Sequence, residues 1–149
     1  PPHRTPNIIT SLELDPAEME KRNIHLQKKY AEIEENEVRF EELHCEDAEY
    51  LIVAFGSCAR IAQKAMEMAR EEGIKVGLLR PITLWPFPSK AIAAQVKGIL
   101  TVELNAGQMV EDVRLAVKCK VPVEHFGRLG GIVPDPDEVI TALKEKLIK

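Results

Sequence analysis

Three stretches of the chain repeat one design, and that design restricts the fold more than any other feature. A short apolar run stops at a cluster of Gly, Pro and polar residues, and a helical pattern follows. The stretches are residues 75–88 (KVGLLRPITLWPFP), 99–114 (ILTVELNAGQMVEDVR) and 121–131 (VPVEHFGRLGG). Ahead of them, residues 50–55 (YLIVAF) form a continuous apolar run, as in a strand buried on both faces. Gly56 and Ser57 turn the chain into a helix with Ile61, Ala65, Met68 and Ala69 on one face, ending at Gly73. Strands are thus expected near 50–55, 75–80, 99–104 and 121–126. Helices are expected between them and after them: one near 89–96, one from about Ala106 to Lys118 with Met109, Val110, Val113 and Val117 inward, and a last one burying Val139, Ile140, Leu143 and Leu147. The last helix opens with Asp135-Pro136-Asp137-Glu138, a capping-box start. Alternation at this spacing implies right-handed βαβ units and a mostly parallel sheet covered on both faces, an α/β fold. In such sheets the carboxyl ends of the strands are where ligands and partners meet the fold.

The N-terminal third has a different character. Residues 1–14 read as an extended arm, because Pro1, Pro2 and Pro6 oppose helix. Residues 15–47 read as a helical arm with a possible edge strand. Asp15 caps, Pro16 suits the first helical turn, and Met19, Leu26, Tyr30 and Ile33 lie on one narrow stripe running to about Asn36. Such a stripe can lie along a surface, including that of a neighbouring copy, but is no core of its own. Between Glu32 and Glu49 nine acidic residues face the single base Arg39. Within that run Val38, Phe40 and Leu43 can form a short edge strand. The α/β domain proper is expected over 48–149.

At 149 residues the chain suits one domain with a real core. A net charge of −4 without a basic patch argues against nucleic acid, and no apolar run approaches a membrane span. Pro1, Pro2, His3 and Arg4 show no export-signal pattern, and a first residue other than Met leads us to expect a piece of a longer protein. Cys45, Cys58 and Cys119 are odd in number and far apart, so no zinc knuckle or iron–sulfur loop is encoded. Cys58 and Cys119 are expected in helices as small apolar residues, and a reducing cytoplasm fits best.

Dinucleotide, P-loop, zinc-protease and hydrolase-elbow motifs are all missing; GSCARI follows the first strand where a Gly-x-Gly-x-x-Gly would stand. His125 at a strand end beside Gly127 reads as structural polar lining. The informative residues cluster at strand ends. Gly56 and Ser57 are a turn and cap whose amides can also hold an anion. Asn105 and Gln108 fit a capping box, yet Glu103, Asn105, Gln108 and Met109, with Gly107 allowing close approach, also fit a partner contact. Arg80, Pro81 and Trp85 belong to a proline-stiffened loop that either docks a partner or folds back on its own core. Arg128, Gly130 and Gly131 form either an anion-holding nest or a turn whose Arg pairs with a carboxylate of another subunit.

Taken together, LIVAFGSCARIA, EEGIKVGLLRPITLWPFP, ILTVELNAGQMVEDVRLAV and HFGRLGGIVPDPDEV resemble the C-terminal part of the α subunit of 2-oxoacid:ferredoxin oxidoreductases of the 2-oxoisovalerate or 2-oxoglutarate type. The resemblance continues through the arm, PNIITSLELDPAEMEKRNIHLQKKYAEIEENEVRFEEL. It implies a fold like the transketolase C-terminal domain: a three-layer α/β/α sandwich on a mostly parallel five-stranded sheet with one antiparallel edge strand, for which residues 38–43 are the candidate. It also implies a parent enzyme that oxidatively decarboxylates a 2-oxoacid on thiamine diphosphate and Mg²⁺, passes electrons through iron–sulfur clusters to ferredoxin and forms acyl-CoA. No cofactor motif for these stands in this chain, so catalytic residues are expected to be none, and the isolated chain inactive. Two functions follow. One is a non-catalytic assembly domain that meets other subunits or domains in an oligomer. The other is a free-standing α/β module binding a small anionic ligand near Gly56, Asn105 and Gly130.

Overall fold

The computed structural model describes residues 5–8, 12–92 and 96–148. They fall into two units, residues 1–36 and 37–149. In the first, helix α1 (Pro16–Asn36) starts where expected, with Asp15 Oδ1 accepting the backbone N–H of Ala17 at 2.8 Å and of Glu18 at 3.3 Å. α1 buries none of its residues; Met19, Leu26 and Ile33 of the expected stripe are half-buried and Tyr30 is exposed. Residues 5–8 and 12–14 carry no regular structure, and the remainder of the expected arm lies outside the described residues.

The second unit is a five-stranded sheet in the order β1-β3-β2-β4-β5. Its strands are β1 (Phe40–Leu43), β2 (Tyr50–Ala54), β3 (Val76–Pro81), β4 (Gly98–Glu103) and β5 (Val123–Gly127). β2, β3, β4 and β5 run parallel, and β1 pairs antiparallel with β3 at the edge, Phe40 opposite Pro81 and Leu43 opposite Leu78. The acidic segment therefore supplies the fifth strand. This unit begins at Glu37 rather than at Ala48, because β1 is hydrogen-bonded into the sheet.

Side chains alternate between two apolar layers, as strand periodicity requires. Ile52, Ala54, Leu78, Leu100 and Val102 face α2 (Gly56–Glu71) and α4 (Pro136–Leu143). Leu51, Val53, Leu79, Ile99 and Val123 face α3 (Met109–Val117). α4 continues into a short π-helical turn, Lys144–Ile148. Helices on both faces make three layers. The inward face of α2 is turned from the expected one: Ala62, Ala65, Met66 and Ala69 are fully buried, whereas Ile61 and Met68 flank it. Small alanines let this helix approach the sheet closely. The inward residues of α3, Met109, Val110, Val113 and Val117, are those the sequence predicts.

Of the helix expected near 89–96, residues 89–92 form turn and bend instead, and residues 93–95 lie outside the described residues. Cys58 is buried in α2, but Cys119 is exposed just past α3, at a φ of 56°.

Candidate functional site

The chain leaves β2 towards β3 on one side and β4 towards β5 on the other, so the strand order reverses between β2 and β4. That is the position at which an open sheet forms its crevice. Gly56 and Ser57, exposed at the end of β2, and Asn105 at the end of β4 flank it.

Glu103 closes this crevice from within. Its side chain is fully buried on the face covered by α3. Oε2 accepts the backbone N–H of Met109 at 2.8 Å and of Gln108 at 3.2 Å, and Oε1 accepts that of Val110 at 3.1 Å. Asn105 Nδ2 donates a fourth bond to Oε2 at 3.2 Å. A buried carboxylate is costly unless such donors surround it, and the positive end of a helix favours it further. The capping box expected between Asn105 and Gln108 is not formed. Gln108 occupies the N-cap position without a side-chain cap bond, Asn105 Oδ1 instead accepts the N–H of Gly107 at 2.7 Å, and the strand's own Glu103 caps α3. A buried carboxylate supplies a stronger acceptor than a neutral amide, which is why it wins the position.

A polar column continues beneath it. His125 Nδ1 lies 3.4 Å from Glu103 Oε1 and 3.4 Å from Thr101 Oγ1, and Nε2 lies 3.2 Å from the carbonyl of Asn105. Thr101 donates to the carbonyl of Glu124 at 3.2 Å. Gly127 makes room for this arrangement: a Cβ there would lie 2.2 Å from the Asn105 carbonyl oxygen. Met109 is likewise buried and belongs to the core, not to a contact surface.

Both arginines singled out from the sequence are used inside the chain. Arg80 sits in β3 opposite Glu41 of β1 and donates to its Oε2 at 2.8 Å. Arg128 donates to Glu138 Oε1 at 2.7 Å, a carboxylate partner within this chain. Glu138 also completes the capping box of α4, with Asp135 Oδ1 accepting its N–H at 2.8 Å. The cleft of about 500 Å³ beside β5 and α4 is lined by Asp135, Asp137, Glu138 and Glu145, with Lys146 as its cation. That charge is the wrong sign for an anionic ligand.

The loop after β3 is divided. Pro81, Pro86 and Pro88 are buried and Phe87 packs on the α3-side layer, following a cis Trp85–Pro86 bond. Ile82, Leu84 and Trp85 turn outward, Trp85 being 55% exposed. Thr83 ties the loop to the start of β1, where Arg39 N donates to Thr83 Oγ1 at 3.0 Å.

Burial, then repulsion from Glu103, pushes the Cys58 thiol above its ordinary range, so it is a poor source of thiolate. Burial, then the neighbouring Glu111 and Glu103, raises the Asp112 carboxyl. Among the described residues no three His, Cys, Asp or Glu side chains are placed to hold a metal ion, and no helix is long and apolar enough to cross a membrane.

Sequence reasoning missed a group of apolar side chains at the same edge. Besides the Ile82, Leu84 and Trp85 group, Leu104 follows β4, and Leu129, Ile132 and Val133 follow β5; all are exposed, as is Phe40 where β1 begins. Their signal was the lack of charge: residues 82–89, 104–110 and 129–134 contain no Asp, Glu, Lys or Arg in a chain with 30% charged residues.

Residues 48–139 match the family model described as pyruvate:ferredoxin oxidoreductase core domain II. The chain is 46% identical over 142 residues to ketoisovalerate oxidoreductase subunit VorB of Methanothermobacter marburgensis, a match covering 93% of this chain and 40% of that subunit. It is 33% identical over 101 residues to 2-oxoglutarate synthase subunit KorA of the same organism, covering 66% of this chain and 27% of KorA. In three dimensions it is similar to a 2-oxoglutarate:ferredoxin oxidoreductase from Magnetococcus marinus, with a TM-score of 0.77 and 24% identity over 90% of this chain and 24% of that one. The chain thus spans 40% of the length of the VorB relative.

Proposed function

The chain belongs to the pyruvate:ferredoxin oxidoreductase core domain II family, and on that premise we propose that it is a non-catalytic assembly domain of the α subunit of a 2-oxoacid:ferredoxin oxidoreductase. The parent enzyme in this reading decarboxylates a 2-oxoacid oxidatively to an acyl-CoA. It uses thiamine diphosphate, Mg²⁺ and iron–sulfur clusters carried elsewhere, delivers electrons to ferredoxin, and works in the cytoplasm as an oligomer. 2-Oxoisovalerate and 2-oxoglutarate come first among its candidate substrates in this reading, which the names of the VorB and KorA relatives support.

The observation that carries the non-catalytic role is that the strand-end groups of β3, β4 and β5 best suited to an anion are engaged within the chain. A diphosphate group needs cations or free amides. Here the amides opening α3 are taken by Glu103, Arg80 is held by Glu41 and Arg128 by Glu138. The three separated cysteines do not fit an iron–sulfur cluster. These residues do not fit the cofactors of the parent reaction, and no step of it is assigned to them. The same facts weigh against a small-anion site at Asn105, where the α3 amides already hold Glu103. Titration calorimetry of the chain with thiamine diphosphate and Mg²⁺ is expected to give no saturable heat; a micromolar dissociation constant would contradict the proposal.

A further inference from the structure

We propose that the strand-end edge docks on an uncharged, apolar face of another domain of the oxidoreductase subunit, through the apolar side chains within residues 82–85, 104 and 129–133, and that arginine pairing takes no part. The inference rests on the assembly reading above and specifies the chemistry of the contact.

Distribution supports it first. Of the nine large apolar side chains exposed among the described residues of 37–148, all but Leu115 lie at the carboxyl ends of the parallel strands or at Phe40, which pairs beside them. A water-facing stretch of this length normally carries charge, whereas residues 82–89, 104–110 and 129–134 carry none. The opposite edge makes the contrast plain: its connections contain Glu46, Asp47, Glu49, Lys75, Lys97, Lys118 and Lys120. One end of the sheet is built for water, the other for a dry contact. Of the charges near the apolar end, Arg80 pairs with Glu41 and Arg128 with Glu138, so a partner carboxylate would compete with an existing pair.

Preorganisation supports it second. Glu103 fixes the loop after β4 through the N–H groups of Gln108 and Met109 and the Asn105 amide, and Thr83 with Arg39 fixes the loop after β3. Loops held in this way lose little conformational freedom on docking. As for the occupant, the larger share of a VorB-like subunit lies outside the 40% that this chain spans, and the chemistry requires a neutral face.

The test is carbene footprinting with mass spectrometry on this chain alone and on the assembled oxidoreductase, at low and high NaCl. Labelling of residues 82–85, 104 and 129–133 is expected to fall at least about five-fold on assembly at both salt concentrations, while Leu115 stays labelled. In the assembled enzyme, Leu129→Ser with Trp85→Ser is expected to restore labelling of the edge, and Arg80→Gln is not. Protection that vanishes at high salt or in Arg80→Gln would overturn the neutral contact and leave the assembly reading standing, as would protection confined to Leu115. Concentration-dependent protection of the isolated chain would assign the edge to a second copy and overturn the inference. No change anywhere on the chain would sink the assembly reading itself.

Discussion

Glu103 concentrates more hydrogen bonds than any other side chain at the strand ends, and its replacement tests what holds that edge together. Glu103→Ala leaves the N–H groups of Gln108, Met109 and Val110 without their acceptor. Each buried donor left unsatisfied costs about 1–3 kcal/mol, and partial hydration offsets some of it. A loss of about 3 kcal/mol in urea unfolding is expected. Glu103→Gln keeps one acceptor oxygen but turns amide hydrogens toward donors, so an intermediate loss is expected; a glutamine variant as stable as the parent would show that the charge is unimportant. Two glycines separate space from backbone freedom. Gly127→Ala drives a methyl into the Asn105 carbonyl, and about 2 kcal/mol or more is expected from overpacking. Gly130→Ala meets no neighbour within 4 Å and pays only for its φ of +67°, about 1–2 kcal/mol. Calorimetric melting of both variants orders the two costs.

At the scale of elements, the connection from β1 to β2 shows how surface charge is used structurally. Arg70 of α2 donates through Nε to the carbonyl of Val76 at 2.8 Å, through a terminal nitrogen to that of His44 at 3.0 Å, and to the Asp47 carboxylate. The Arg70 hydrogen bond holds the Asp47 carboxyl below its ordinary range, and the Lys97 hydrogen bond does the same for Glu49. A carboxyl depressed in the folded state stabilises the fold above its unfolded value, and that contribution disappears as pH falls through the folded value. Stability is therefore expected to decline on acidification below the ordinary carboxylate range, and Asp47→Asn to remove part of the decline. Both groups are exposed, so added salt is expected to shrink the difference between variant and parent. Denaturant midpoints across a pH series would check the sign; a variant whose loss grew on acidification would contradict it.

For the whole molecule, the division at Asn36 and Glu37 gives a direct expectation. α1 buries none of its residues, whereas β1 is paired with β3 along its whole length. A chain starting at Glu37 is expected to keep its melting temperature within about 2 °C, an effect below roughly 0.5 kcal/mol for a domain of this size. A chain starting at Ala48 loses β1 and the Glu41 partner of Arg80, and is expected to melt clearly lower. Light scattering of the same two chains beside the full one asks whether residues 1–36 bring copies together.

The strands, the short edge strand, the inward residues of α3 and the capping box of α4 were all legible in the sequence, because each depends on local periodicity or on residues three or four apart. The antiparallel direction of the edge strand came only from the family resemblance. Glu103 was recognised as unusual polarity at a strand end, but its task was not, since its acceptors' partners are brought to it only by the return of α3 over the sheet. The turn at 89–92 defeated the helical pattern because Pro86 and Pro88 and the packing of Phe87 govern that loop from a distance. Arg80 and Arg128 looked like contacts for other subunits until folding set Glu41 and Glu138 beside them. Local spacing determines which segments are strands and helices and which ends of the strands lie together. Which charges are already neutralised, and hence which side chains at that edge remain for a partner, is decided only by tertiary structure, because pairing depends on distances between residues far apart in the chain.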